Sequence, residues 1–131
     1  MSEESVEIVR GVYNRWAEGD FQAGDYFDPH IVFIIGFGFP ESGMYCGTER
    51  VAEYMRGFLE PWKRLTIRAE EIISVGDSVV VAVHQQGVGR ESDAATDFDY
   101  VTVWSFRGGK AIRFETFRER PAALEAVGLS D

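Results

Sequence analysis

A single cysteine, Cys46, stands in a chain of 131 residues, so no disulfide can form within it. A reduced thiol in a reducing compartment is the plain reading, and the protein is expected to be cytoplasmic. Long apolar runs are missing: nothing approaches the ~20 consecutive apolar residues of a membrane span. A basic leader is missing as well, since the chain starts Met1-Ser-Glu-Glu-Ser5. Cationic charge is scarce, 13 Lys and Arg against 22 Asp and Glu, for a net charge of −9. A phosphate backbone needs a basic stripe and an anionic bilayer a basic patch, so neither nucleic acid nor membrane is an expected partner. The two histidines, His30 and His84, lie far apart and from Cys46. They show no metal-ligand spacing, and neither a metal nor a cofactor is expected. Gly36-Phe-Gly38 lacks the third glycine and the strand-to-helix context of a dinucleotide loop.

Aromatic residues, by contrast, are plentiful: ten Phe, five Tyr and three Trp. They favour a large, shaped interior in one domain spanning residues 1–131. Val6, Val9, Val12, Tyr13 and Trp16 recur at helical spacing and predict a helix over roughly Ser5 to Glu18. Gly19 stops it, and Asp20 caps a short second helix from Phe21 to about Tyr26. Asp28-Pro-His30 reads as a turn and Ile31 to Ile35 as a short buried strand. The loop Gly36 to Gly43 carries two Phe, which either close over something apolar or pad the core edge. Thr48 is read as the cap of a third helix, with a stripe of Val51, Tyr54, Met55, Phe58, Leu59 and Trp62 and an end at Pro61. Some of Tyr54, Met55 and Phe58 could wall a pocket.

From Arg64 the pattern changes to strands. Gly76-Asp77 and Gly108-Gly109 are hairpin turns, Gly89 to Thr96 is a polar connection, and four antiparallel strands follow one another. A short helix begins at Pro121 and ends at Gly128. The expected fold class is α+β: a cone-shaped curved antiparallel sheet, with three helices of the N-terminal half closing a deep pocket.

Several stretches resemble one family. They are Tyr13-Asn-Arg-Trp-Ala-Glu-Gly-Asp-Phe21, Gly43-Met-Tyr-Cys-Gly47, Val103-Trp-Ser-Phe-Arg-Gly-Gly-Lys110 and Arg118-Glu-Arg-Pro-Ala-Ala-Leu-Glu-Ala-Val-Gly-Leu129. In order and spacing they resemble the SnoaL-like branch of the nuclear transport factor 2-like superfamily, over nearly the whole chain. The resemblance implies a cone-shaped roll, usually dimeric through the outer sheet face, and a deep apolar cavity. Members include ketosteroid isomerases, polyketide cyclases, epoxide hydrolases and dehydratases, so the fold alone does not choose a reaction. The isomerase tyrosine and two acids fall on Val12, Ile35 and a position near Thr102, which removes that chemistry. The epoxide hydrolase Arg-x-Asp pair falls on His84 and Gln86, and its further aspartate on Thr116. The cyclase histidine could be His84, with no clear aspartate partner.

The site expected from these readings depends on the phase of Ser78-Val-Val-Val-Ala-Val-His-Gln-Gln-Gly87. Val80, Ala82, His84 and Gln86 are read as facing the pocket, with Phe98, Tyr100, Thr102 and Trp104 from the next strand and Ile112, Phe114 and Thr116 from the last. Trp16 faces in from the first helix and Tyr13 sits at its margin. His84 is the candidate proton-transfer residue. Tyr13, Trp16, Gln86, Tyr100, Trp104, Phe114 and Thr116 are the candidate ligand contacts. Outward lie Val79, Val81, Val83, Val101, Val103, Ala111 and Phe117, with Asp99, Arg113 and Glu115 among them, and this apolar face is expected to bind a second copy. A bulge would reverse a strand and could turn Asp99 or Glu115 inward. The functional expectation is a small hydrophobic-molecule-binding protein, with acid/base isomerase, cyclase or hydrolase chemistry on a carbonyl compound as its catalytic form. The alternative is a non-catalytic dimeric ligand-binding or sensing module.

Overall fold

In the computed structural model, residues 2–21, 26–36, 38–39, 41–92 and 94–128 are described. The elements run α1 (Ser2–Ala17), β1 (Phe27–Ile35), β2 (Gly43–Cys46), α2 (Thr48–Leu59), β3 (Trp62–Val75), β4 (Ser78–Gly89), β5 (Ala95–Arg107), β6 (Lys110–Phe117) and α3 (Arg120–Ala126). The fold is α+β, helices against one curved sheet of order β2-β1-β6-β5-β4-β3. No helix among the described residues is long and apolar enough to cross a membrane.

α1 forms where the helical stripe was read, with Glu3 and Glu4 in the first turn, where they favour the positive helix end. Its stripe buries Val9, Val12, Tyr13 and Trp16 against the sheet. The short second helix expected over 21–26 lies outside the described residues for 22–25, as does Phe37 of the glycine-rich loop. α2 is preceded by Gly47 at φ 90, a conformation that glycine adopts without strain, so Thr48 begins the helix instead of capping it. β1 starts earlier than expected and absorbs the Asp28-Pro-His30 turn as an irregularity in its pairing with β6. The Asp28 carboxylate there accepts the His30 backbone N–H at 2.8 Å. β2 has no counterpart among the expected elements; its four residues hairpin back onto β1, from Val32↔Cys46 to Ile35↔Gly43.

β3 to β6 form the expected antiparallel meander, and β1 joins β6 in parallel, which makes the sheet mixed. The Gly108-Gly109 turn has both residues at positive φ, 58 and 79, as a two-residue hairpin loop requires.

The phase of β4 is the main correction. β4 and β5 pair without a break, Val83 opposite Tyr100, His84 opposite Asp99 and Gln85 opposite Phe98. Residues directly opposed across a ladder share a face. Phe98, Tyr100, Thr102 and Trp104 do face the interior, so Val79, Val81, Val83 and Gln85 face it with them. Val80, His84 and Gln86 therefore face outward, the reverse of the expectation.

Two of the sheet's register shifts add local reversals near the site. Between Ala69 and Glu71 the β3 register shifts by one, leaving Glu70 as the extra residue. Between Ser105 and Phe106 it shifts again, leaving Ile112 extra in β6 and sending Ala111 into the main core, not outward. Neither bulge reverses Asp99 or Glu115. Glu115 stays outside, bonded to Arg113 at 2.8 Å.

The outer face carries its own small core: Val80, Val101 and Val103 with Ala123 of α3, flanked by Ile73, Val75, Phe117 and Val127. The three valines are all under 8 % exposed within the single chain. The bare apolar sheet that argued for a second copy is thus largely roofed by the chain's own C-terminal helix.

Candidate functional site

Between the concave sheet face, α1 and α2 lies a cavity of about 460 Å³. Trp16 enters from α1, Phe33 from β1, and Tyr54, Met55 and Phe58 from α2. Ile67, Phe98, Tyr100 and Phe114 line it from β3, β5 and β6, and Trp62 adds a wall at the start of β3. The rings brace one another: Phe33 and Phe114 are 4.4 Å apart at their centroids, and Phe39 meets Tyr100 edge-on at 5.6 Å and Phe98 at 5.9 Å. Phe39 therefore lines the hollow while also packing against the core. Arg118 lies across the same mouth, its guanidinium 5.1 Å from the Phe98 ring and 5.8 Å from the Phe39 ring.

Polar groups inside are few and aimed. Tyr100 donates its hydroxyl to Gln85 Oε1 at 2.9 Å, which leaves the Gln85 NH₂ group as a donor on the cavity side. Thr116 Oγ1 accepts the Gly36 N–H at 2.8 Å, leaving the Thr116 O–H to donate. Burial, then the neighbouring Tyr13 and Tyr54, holds the Tyr100 phenol well above its ordinary pKa, so it stays protonated. Burial does the same for Tyr54, with Tyr45 and Glu41 adding to it. Glu41 and Asp97 stand at the rim, the Asp97 carboxylate turned to His84.

The floor of the cone is a closed network. Tyr13 Oη and Thr102 Oγ1 lie 2.8 Å apart, and Trp104 Nε1–H donates to both at 3.2 Å. Burial raises the Tyr13 phenol pKa, and the bonds to Thr102 and Trp104 only partly offset that. Tyr13 and Trp104, expected as ligand contacts, are instead core residues at 2 % and 0 % exposure. Thr102, near the position of the isomerases' second acid, belongs to the same network.

His84 lies on the far side of the sheet. Its Nδ1 is 2.6 Å from Asp99 Oδ1 and its Nε2 is 2.8 Å from Asp97 Oδ1. Two carboxylates on the two nitrogens call for an imidazolium with both protons in place. The bond to Asp99, opposed by desolvation and assisted by the charges of Asp97, Asp99 and Glu70, raises its pKa above the ordinary 6.5. His84 does not line the cavity, and Gln86 is exposed beside it.

Of the expected contacts, Trp16, Tyr100, Phe114 and Thr116 come together in the cavity. Gln85, Phe33, Trp62 and Arg118 were not anticipated. A signal for Gln85 was present: Asp97 and Asp99 have a cationic partner on β4 only if His84 shares their outward face, and that puts Gln85 inside.

A curved sheet wrapped around a helix-capped aromatic cavity defines the nuclear transport factor 2-like class of α+β rolls. Within it the chain belongs to the SnoaL-like domain family, whose model matches residues 9–114. Solved structures agree on the fold. A nuclear transport factor 2-like protein of unknown function from Burkholderia pseudomallei superposes with a TM-score of 0.78 at 19% identity, over 98% of this chain and 99% of its own. A protein assigned as a SnoaL-like polyketide cyclase from Jannaschia sp. gives 0.76 at 20% identity, over 99% and 95%. TerC, crystallised with polyporic acid, gives 0.74 at 21% identity, over 95% and 98%. No curated protein matches the chain in sequence.

Proposed function

We propose that the protein binds a small, flat, largely apolar carbonyl compound in the aromatic cavity. The carrying observation is the Tyr100–Gln85 pair set among aromatic rings: the phenol orients the amide, and the amide N–H is left to meet a carbonyl oxygen. A few placed polar groups in an apolar hollow are the usual means of fixing a ligand's orientation. That TerC was crystallised with polyporic acid supports a ligand of this general kind.

The test is a comparison of 2-acetylnaphthalene with 2-ethylnaphthalene, read by quenching of tryptophan fluorescence, with polyporic acid as a further probe. The ketone binds more tightly to the wild-type chain. Gln85→Leu removes that preference, a loss of about 1 kcal/mol or roughly fivefold, as expected for one neutral hydrogen bond. Equal affinities in the wild type, or a preference that survives Gln85→Leu, overturn the reading.

Turnover is a second reading. With His84 on the outer face and the Asp97 carboxylate bonded to it, proton transfer in the cavity falls to Glu41 at the rim, acting on a carbonyl polarised by the Gln85 N–H.

A further inference from the structure

Outside the cavity, three neighbouring strands bring four ligand-type side chains to one patch. His84 of β4 stands opposite Asp99 of β5, Asp97 lies two residues along, and the β3 bulge adds Glu70. One donor atom each from Glu70, His84 and Asp99 lies within 4.8 Å of the other two. The cavity lining includes none of the three ligands His84, Asp99 and Glu70; Asp97 alone stands at the edge between the patch and the cavity rim.

We propose that Glu70, His84 and Asp99 form a binding site for a divalent transition metal of the zinc type, with Asp97 orienting the imidazole. The donor set is one nitrogen and two carboxylates, which suits Zn²⁺ or Co²⁺ and leaves a coordination position for water. An imidazole ligand disfavours Mg²⁺ and Ca²⁺, which take oxygen. A second observation points the same way. The Asp97 carboxylate holds Nε2 at 2.8 Å while Nδ1 faces Asp99, and a metal-bound histidine commonly has its other nitrogen held by a carboxylate in this way. Metal–donor distances of about 2.0–2.2 Å require only side-chain movements at exposed groups. Charge also favours it: three carboxylates stand around one imidazole, against a single guanidinium, that of Arg68 across from His84 on β3. Spacing along the chain does not reveal such a site, because its ligands come from separate strands.

The experiment titrates the untagged, chelator-treated full chain with CoCl₂, followed by visible ligand-field absorption, with ZnCl₂ in competition. One Co²⁺ per chain is expected, displaced by Zn²⁺. His84→Ala, Glu70→Gln and Asp99→Asn each weaken binding at least ~10-fold, and Asp97→Asn weakens it about 10- to 100-fold, as removal of an orienting carboxylate does. His30→Ala and Cys46→Ser leave it unchanged, and far-UV circular dichroism stays that of the wild type throughout. Absence of saturable binding overturns the proposal, as does binding that survives His84→Ala or disappears with His30→Ala.

Discussion

At the scale of single residues, two side chains carry most of the interpretation, and each is defined by its partner. Gln85 is held by Tyr100 and faces the hollow; His84, the residue before it, is held by Asp97 and Asp99 and faces away. The His84 ring gains proton affinity on folding, chiefly from Asp99. A group whose pKa is raised in the folded state contributes stability fully below its unfolded value and loses it as pH climbs through the folded value. For His84 that window opens at about 6.5 and extends upward. In chelator-containing buffer, the stability difference between wild type and His84→Asn is therefore largest below that pH and shrinks above it. Imidazole NMR shifts should give a His84 midpoint above 6.5, with His30 in the same spectrum for comparison; a midpoint at or below that value contradicts the double ion pair.

At the scale of elements, the strands owe their shape to a few positions where regular alternation is broken or where a side chain is missing. Gly87 of β4 is one. A Cβ there would come within 2.6 Å of the Trp62 ring and 3.2 Å of Leu65 Cδ1. Glycine is needed for space, so that Trp62 can lie against the strand and serve as a cavity wall. Gly87→Ala pushes the indole aside and is expected to cost about 1–3 kcal/mol, the usual range for overpacking. Urea denaturation measures the loss, and Trp fluorescence and ligand affinity report the displaced wall. The Glu70 bulge is the other position. It keeps Ile67 and Ala69 on the inner face with Ile72, although their numbers change parity, and it places Glu70 beside His84.

At the scale of the whole molecule, one sheet separates two unequal cores. The concave side holds the aromatic cavity; the convex side holds the patch of valines under α3. A chain ending at Glu119 loses Ala123 and Leu124, both buried, and uncovers Val80, Val101 and Val103. Such a truncated chain is expected to self-associate more strongly than the full chain, because contiguous apolar surface seeks cover. Sedimentation velocity over a concentration series detects the difference, and identical behaviour of the two chains would show that α3 is not the cover. Much of this architecture was readable in the amino-acid order. Periodicity located α1, α2 and the four meander strands, glycines marked the turns, and the abundance of rings foretold a shaped hollow. Tyr100, Phe114 and Thr116 line it because β5 and β6 alternate cleanly over these positions, and Trp16 reaches it from the stripe of α1. What could not be read was the phase of β4. Its first half, Val79-Val-Val-Ala-Val83, is apolar on both faces, and an alternation argument has no grip on a strand buried on both sides. That choice belongs to the β4–β5 register, where Val88 meets Ala95 across a short connection. One step of register decides whether Gln85 or His84 looks into the cone, and only the paired backbone fixes it.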